Sequence, residues 1–135
     1  MDPKDVVLRF IDAVNRRAVE EIADLMTDDH LFIDSLGAEV RGRGAMREGW
    51  MGYFSMVPGY GIAVSEVIPS VGTVAVFGTA SGGYAPGGGP PHEDRWSTPA
   101  AWRAVVKGAR LAVWQVFADN EPIRRLMREH HGGPG

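Results

Sequence analysis

The sequence contains no cysteine, which excludes disulfide bonds and thiolate chemistry. It has only 4 histidines, and they form no cluster with Asp and Glu at metal-ligand spacing. We therefore expect neither a metal site nor a cofactor. An excess of one charge is also absent, because 14 Lys and Arg against 17 Asp and Glu leave a net charge of -3. This balance argues against a nucleic-acid partner and against a polybasic membrane contact.

Long hydrophobic runs are missing as well. The longest apolar stretch, "VIPSVGTVAVFGTA", is interrupted by Pro69, Gly72 and Gly78. It falls short of the roughly 20 apolar residues that a membrane-spanning helix needs. The opening "MDPKDVVLRF" lacks the basic and then apolar layout of a signal peptide. We expect a cytoplasmic protein with no membrane partner.

The chain does have apolar residues at helical spacing, in a length of 135 residues that suits one domain. This spacing predicts two N-terminal helices, the second ending at "TDDH", and a third over "RGAMREGWMGYFSMV". A last helix is predicted over "DNEPIRRLMREHH", capped by Asp119 or Asn120. We expect residues 1–129 to form the domain and residues 130–135 a disordered tail.

Strand-like segments fill the rest of the chain. "HLFID" is followed by a turn at Gly37 and a short return strand in "EVRG". Four further strands are predicted, in "IAVSEVI", "TVAVFGTASGGY", "RWSTPAAWRAVV" and "RLAVWQVFA", with one long loop, "APGGGPPHED". Helices and strands segregated in this way imply an α+β fold, with helices on one face of a mostly antiparallel sheet.

Two segments carry a family resemblance. "LRFIDAVNRRAVEEIADLMTDDHLFIDSLGAEVRGRGAMREGW" resembles the opening of the nuclear transport factor 2-like superfamily, which includes ketosteroid isomerases and snoaL-like polyketide cyclases. "AVWQVFADNEPIRRLM" is similar to the last strand and tail of snoaL-like members. The resemblance implies a cone-shaped, strongly curved sheet wrapped by N-terminal helices, also described as a cystatin-like α+β barrel. It further implies an apolar pocket and a homodimer packed through the sheet.

Asp34 is the strongest candidate for a catalytic residue. It lies in the apolar run "HLFIDSLGAEV", where strand alternation would put it on one face with Phe32 and Leu36. The resemblance places Asp34 on the general base of ketosteroid isomerases. An alternative is that Asp34 ends the strand, where it would bond the Gly37 turn or pair with Arg41 or Arg43.

The other catalytic groups of the isomerases are absent. The resemblance places Phe10 where those enzymes have a Tyr, and Ala100 or Ala101 where they have a protonated Asp. None of these side chains donates a hydrogen bond to an oxyanion. The catalytic pattern of the epoxide hydrolases does not fit, because the residue two positions after Arg103 is not Asp. The pattern of scytalone dehydratase does not fit either, because the central strands carry no His.

Aromatic residues suggest the lining of the pocket. We expect Tyr53 to act with Asp34 by donating a hydrogen bond to the ligand. The other predicted ligand-binding residues are Phe10, Phe32, Trp50, Phe54, Trp102 and Trp114. The alternative is that these rings form an ordinary aromatic core.

Two functions follow as hypotheses. The first is an isomerase-, cyclase- or hydrolase-type enzyme that acts on a small hydrophobic molecule with Asp34 as its base. The second is a ligand-binding or dimerisation module without catalysis, which the replacements at Phe10 and at Ala100 or Ala101 favour.

Overall fold

The first helix, α1 (Pro3–Arg16), forms as its periodicity predicts. Asp2 caps it, since its side chain accepts a hydrogen bond from the Lys4 backbone N–H at 3.0 Å. Its apolar face, which includes Val6, Phe10 and Val14, is fully buried against the sheet.

The structure is a computed structural model that describes residues 2–85 and 95–131. The predicted loop "APGGGPPHED" after its first residue, and residues 132–135 of the predicted tail, lie outside the described residues.

The second helix, α2 (Val19–Asp24), is shorter than predicted. Met26 has helical spacing in the sequence, yet it is the first residue of strand β1 (Met26–Ile33). The backbone explains this difference, because Met26 pairs in register with Leu111 of a distant strand. Tertiary pairing here overrides a local helical pattern. The other two helices are α3 (Arg43–Met56) and α4 (Glu121–His131).

Six strands form one curved, unclosed sheet. After β1 come β2 (Glu39–Arg41), β3 (Gly61–Ser70), β4 (Thr73–Gly82), β5 (Trp96–Lys107) and β6 (Arg110–Ala118). Their order is β2-β1-β6-β5-β4-β3, and among the strands of the described residues only the β1–β6 pair is parallel. The mostly antiparallel α+β fold expected from the sequence is therefore confirmed.

A break in register between Val64 and Glu66 marks the β3–β4 pair. Gly78 lies opposite this break, and a Cβ atom added to it would stand 2.0 Å from the Ala63 carbonyl oxygen. No side chain fits at that distance, so the close approach of the two strands requires glycine. Irregularities of this kind bend a strand and help a sheet to curve.

Strand β5 shows how the two faces of the sheet differ. Alternate residues from Trp96 to Val106 are buried, and the residues between them are exposed or half-buried. The buried face packs against α1 and α3, and it includes Trp102 and Ala104. The opposite face is free of helices α1 to α3 and carries several exposed apolar side chains. None of the helices in the described ranges is long and apolar enough to cross a membrane.

Candidate active site

A cavity of about 350 Å³ lies between α3 and the β1–β2 and β6 side of the sheet. This volume is at the lower end of the range for small-molecule sites. Its apolar lining consists of Phe32, Val40, Ala45, Met46, Gly49, Trp50, Trp114 and Val116. Its polar lining consists of Asp34, Ser35, Tyr53, Tyr60 and Asn120. No basic side chain of the described residues contributes to either group.

Helix α3 creates the space as well as part of the wall. Ala45 and Gly49 are four residues apart and therefore lie on one side of the helix. Neither has a side chain large enough to fill the region beside it. Trp50 and Tyr53 of the same helix also line the cavity, with ring centroids 6.3 Å apart and planes at 88°. Small and large side chains on one helix thus produce an open space with an aromatic wall beside it.

Asp34 follows the last residue of β1 and is held in the turn to β2. Its Oδ1 atom accepts hydrogen bonds from the backbone N–H of Leu36 at 2.9 Å and of Ala38 at 3.0 Å. Asp34 therefore ends the strand and bonds the Gly37 turn, which is one of the two alternatives to a free catalytic carboxylate that the sequence left open. Arg41 and Arg43 do not pair with it, because they bind the carbonyl oxygens of Asp29 and Met26 instead. Asp34 nevertheless lines the cavity together with Phe32, whereas Leu36 points to solvent with 68% exposure.

Ser35 and Asn120 form a second polar contact at the cavity. The Asn120 side-chain amide donates to the Ser35 hydroxyl and joins the β1–β2 turn to the start of α4. The sequence predicted Asn120 or Asp119 as a helix cap, and Asp119 Oδ1 does accept the Glu121 backbone N–H at 2.9 Å. Asn120 lines the cavity, and no pattern in the sequence predicts this position for its side chain.

Tyr60 is the main lining residue that sequence reasoning missed. It follows the Pro58–Gly59 break and belongs to no periodic segment, so nothing in the pattern marks it as buried. Two contacts position it: Arg17 donates to its carbonyl oxygen at 3.3 Å, and Asn15 bonds both backbone groups of Ile62 nearby. Its ring lies 5.0 Å from that of Tyr53, with planes at 84°.

Burial sets the protonation of the two tyrosines. It raises the pKa of Tyr53 to about 12, and burial together with the neighbouring Tyr53 raises the pKa of Tyr60 further. Both hydroxyls therefore stay protonated near neutral pH and are hydrogen-bond donors. The cavity brings Asp34, Tyr53, Phe32, Trp50 and Trp114 together, as the sequence analysis expected.

Three predicted ligand-binding residues lie outside the cavity lining. Phe10 is fully buried behind it, because its ring packs 4.9 Å from Trp114 and 6.2 Å from Trp50. Trp102 stacks on Trp114, with ring centroids 6.1 Å apart and planes at 18°, and does not line the cavity. Phe54 packs against Trp50 at 5.3 Å without lining the cavity. These three rings support the wall by contacting residues that form it.

His30 is a buried group that the cavity does not include. It is 0% exposed, and its Nδ1 atom lies 2.8 Å from the Leu111 carbonyl oxygen. Burial lowers the pKa of His30. Over residues 2–85 and 95–131, no three His, Asp or Glu side chains are grouped so that they could hold a metal ion.

Residues 7–119 match the model of the SnoaL-like domain family. The chain belongs to the SnoaL-like family, within the nuclear transport factor 2-like superfamily. The resemblance drawn from the sequence is therefore confirmed. A comparison with curated protein sequences finds no match.

Solved structures give the same fold at low sequence identity. The proposed polyketide cyclase IdmH from Streptomyces antibioticus is 17% identical, with a TM-score of 0.78 over 94% of this chain and 99% of that one. An NTF2-like protein from Burkholderia thailandensis is 15% identical, with a TM-score of 0.79 over 94% and 98%. A protein with a ketosteroid isomerase-like fold from Catenulispora acidiphila, in complex with trimethylamine, is 13% identical, with a TM-score of 0.77 over 87% and 88%. The SnoaL-like chain shares its fold with all three.

Proposed function

We propose that this SnoaL-like protein is an enzyme that removes a proton from a small hydrophobic substrate, with Asp34 as the general base. The observation that carries the proposal is that Asp34 is the one carboxylate among the described residues that line the aromatic cavity. Its Oδ1 atom is fixed by two backbone N–H groups, which orients the carboxylate. Oδ2 makes no hydrogen bond within the described residues and is the atom that would take the proton.

The step is a proton transfer from a carbon next to a carbonyl group. Oδ2 of Asp34 takes the proton, and the electron pair of the broken C–H bond forms the carbon–carbon double bond of an enolate. The negative charge then rests on the former carbonyl oxygen, to which Tyr53, another residue of the cavity lining, would donate a hydrogen bond. Return of the proton to another carbon gives an isomerase, and attack of the enolate carbon on a second carbonyl group gives a cyclase. The same carboxylate could instead activate water, as in a hydrolase.

Proton exchange tests this proposal without the natural substrate. β-Tetralone, a bicyclic ketone with acidic C–H groups, is incubated with the protein in deuterated water, and loss of the C–H signals is followed by NMR. We expect exchange above the buffer rate, and a loss of about 10²-fold or more in Asp34→Asn. Asp29→Asn is the matched control, because Asp29 is an exposed acid of β1 outside the lining. Equal exchange rates in Asp34→Asn and wild type would refute the base role.

A binding module without catalysis is the second candidate. It is favoured by Phe10, which is fully buried and has no hydroxyl where the resemblance places the isomerase Tyr. Ala100 and Ala101 likewise offer no donor on β5. Binding of β-tetralone with no exchange above the buffer rate would support this second function.

We also propose that the protein forms a homodimer through the outer face of the sheet, which is the face opposite to α1 and α3. Phe77, Ala101 and Phe117 are in register on three neighbouring strands of the outer face. The two phenylalanines are 42% and 51% exposed, which suits a partner surface. Sedimentation should give a dimer at micromolar concentration, and Phe117→Lys should weaken it. A monomeric wild type would contradict the proposed homodimer and would not affect the catalytic proposal. The cytoplasmic location stays a prediction.

A further inference from the structure

The turn that carries Asp34 lies beyond the end of the β1–β6 pairing. Strands β1 and β6 are parallel, and their register ends at the pair of Ile33 with Gln115. Asp34 and Ser35 follow Ile33 directly, so neither has a partner residue on β6. Strand β6 continues past this point to Ala118, which is still paired with β5. The Asp34 turn therefore needs some other contact to hold it beside the end of β6.

The hydrogen bonds that orient the Asp34 carboxylate lie inside the turn itself. Oδ1 accepts from the backbone N–H groups of Leu36 and Ala38, and the Asp34 N–H donates to the Ala38 carbonyl oxygen at 2.9 Å. The Gly37 N–H donates to the Asp34 carbonyl oxygen at 3.0 Å. These bonds fix the carboxylate relative to the turn, but they do not fix the turn relative to the cavity. Packing adds little, since Leu36 is 68% exposed and every residue of β2 is exposed.

Asn120 supplies a contact from outside the turn. Its side-chain amide donates to the Ser35 hydroxyl across 85 positions of sequence. Both residues are half-buried, and both line the cavity. Ser35 is the neighbour of Asp34 in the chain, so the bond acts on the turn beside the carboxylate. Within the part of the chain that the structure describes, no other side chain from outside residues 34–38 forms a hydrogen bond or ion pair with this turn.

The connection from β6 to α4 fixes Asn120 in place. The Asn120 carbonyl oxygen accepts the Arg124 N–H at 2.9 Å, a helical hydrogen bond at the start of α4. The neighbouring Asp119 accepts the Glu121 N–H at 2.9 Å and so caps the helix. Asn120 also follows the last residue of β6 by two positions. Its amide group is therefore a well-supported anchor for the turn.

We propose that Asn120 is the positioning residue of the candidate base, because it holds Ser35 and thereby keeps the Asp34 carboxylate in place at the cavity. The inference rests on the proposed function for the role of Asp34 as base. Asn120 acts through Ser35 and takes no part in the proton transfer itself. Position matters because a displacement of about 1 Å between reacting groups can lower a rate on the order of 10²-fold.

Amide hydrogen exchange tests the positioning directly and needs no substrate. The N–H groups of Leu36 and Ala38 are bound to Asp34 Oδ1, so their exchange with solvent, followed by NMR, reports opening of the turn. Asn120→Ala removes the contact with Ser35. We expect it to speed exchange at both amides about fivefold or more. Wild-type exchange rates at both amides in this variant would overturn the proposal.

Asp119→Ala is the matched control for Asn120→Ala. It removes a side-chain acceptor from the same connection, and Asp119 neither bonds Ser35 nor lines the cavity. The control should fray the start of α4 and leave the turn amides at their wild-type rates. Equal acceleration in the two variants would mean that the turn responds to fraying of α4 in general, and this result would also overturn the proposal.

Kinetics of β-tetralone deuteration show whether the positioning serves catalysis. Asn120→Ala should lower kcat about tenfold and change KM less than twofold, because the aromatic walls stay in place while the base loses its position. Ser35→Ala should have the same effect, and the double variant should lose no more than either single one, since both act through one hydrogen bond. Ser35→Thr keeps a hydroxyl and should keep most of the rate. Additive losses, or a wild-type kcat in Asn120→Ala, would contradict the inference.

The two measurements separate this inference from the proposed function. If the wild type does not deuterate β-tetralone but Asn120→Ala speeds exchange at the two turn amides, the base is contradicted and Asn120 remains the group that holds the Asp34 turn. If deuteration depends on Asp34 but the turn amides and kcat do not change in Asn120→Ala, the positioning role is contradicted and the base remains.

Discussion

Two parts of the interior use the same kinds of residue and differ in whether space adjoins them. The closed interior is represented by Phe10, His30 and Trp102, which are at most 1% exposed and do not line the cavity. The open interior is represented by Trp50, Tyr53 and Tyr60, which line the cavity of about 350 Å³. Trp114 is the wall between them, since it lines the cavity and packs against both Phe10 and Trp102.

The contrast shows that similar aromatic residues have different surroundings in the two parts. In the closed interior, Trp102 Nε1 and His30 Nε2 are a cost that tight packing offsets. In the open interior, Trp50 Nε1 is likewise buried and has no partner within the described residues, although the Trp50 ring lines the cavity. The cavity therefore depends on the small side chains at Ala45 and Gly49 as much as on the aromatic rings. The following experiments test whether the two parts differ in solution as they do in the structure.

Truncation of a large ring should have the greatest effect in the closed interior. Trp102→Ala should lower the free energy of unfolding by about 3–5 kcal/mol, measured by urea denaturation, because a large cavity would form in packed surroundings. Tyr53→Ala should lower it clearly less, since part of its surface already faces open space. Met51→Ala, at an exposed position of the same helix, serves as control and should stay within about 0.5 kcal/mol of wild type. Equal losses for the first two variants would mean that the cavity is closed in solution.

Adding a hydroxyl to the closed interior should have the next largest effect. Phe10→Tyr should lower the free energy of unfolding by about 1–3 kcal/mol, because the new hydroxyl would be buried without a partner. Phe54→Tyr is the control, since this half-buried ring leaves room for its hydroxyl to reach water. A stable Phe10→Tyr protein would show that the open interior extends to α1.

Protonation probes the closed interior through His30. Burial lowers the pKa of this ring, whose ordinary value is 6.5, although the carboxylate of Asp29 acts in the opposite direction. The unfolded chain therefore binds the proton first as the pH falls, and stability that is fully present above pH 6.5 is lost below it. The slope from this one group cannot exceed about 1.4 kcal/mol per pH unit.

Urea titrations of wild type and His30→Gln over this pH range measure the effect. Glutamine can still donate to the Leu111 carbonyl oxygen, so the variant removes the titration and keeps the hydrogen bond. We expect the wild type to lose more stability on acidification than the variant. Identical pH profiles would mean that water reaches His30 and that this part of the interior is not closed.

The smallest effect is expected at the opening itself. Gly49→Ala should raise the free energy of unfolding by about 0.5–1 kcal/mol, since alanine favours the helix. The added Cβ atom would meet Met46 Sδ at 3.7 Å, an ordinary contact distance. Gly52→Ala is the matched control on the same helix, with nothing within 4 Å of its added Cβ atom and no part in the lining. Destabilisation by Gly49→Ala alone would indicate that α3 packs more closely there in solution.

Most of the fold could be predicted from the sequence because its elements are periodic. The buried face of α1 and the alternation in β5 follow directly from residue spacing. The end of α2 could not be predicted, because Met26 fits a helix locally and enters a strand only by pairing with Leu111. Local patterns carry no information on such a distant partner.

The site could be predicted only in part, for the same physical reason. Asp34, Phe32, Trp50, Tyr53 and Trp114 lie in regular segments or beside one, and all of them line the cavity. Tyr60, Ser35 and Asn120 lie in connections, where no period shows which way a side chain points. Phe10, Phe54 and Trp102 are aromatic like the lining residues, but they pack against the lining residues and do not line the cavity themselves. Sequence periodicity does not show which buried rings border the cavity.

The parallel pairing of β1 with β6 has a consequence for synthesis of the chain. Phe32 and Trp114 are partners in this pairing, so one wall of the cavity comes from the first third of the sequence and its neighbour from the last fifth. A nascent chain that has emerged from the ribosome only as far as β5 exposes Asp34, Trp50 and Tyr53 but not yet Trp114 or Asn120. The cavity is therefore complete only when nearly the whole polypeptide has left the ribosome and its most distant segments have met.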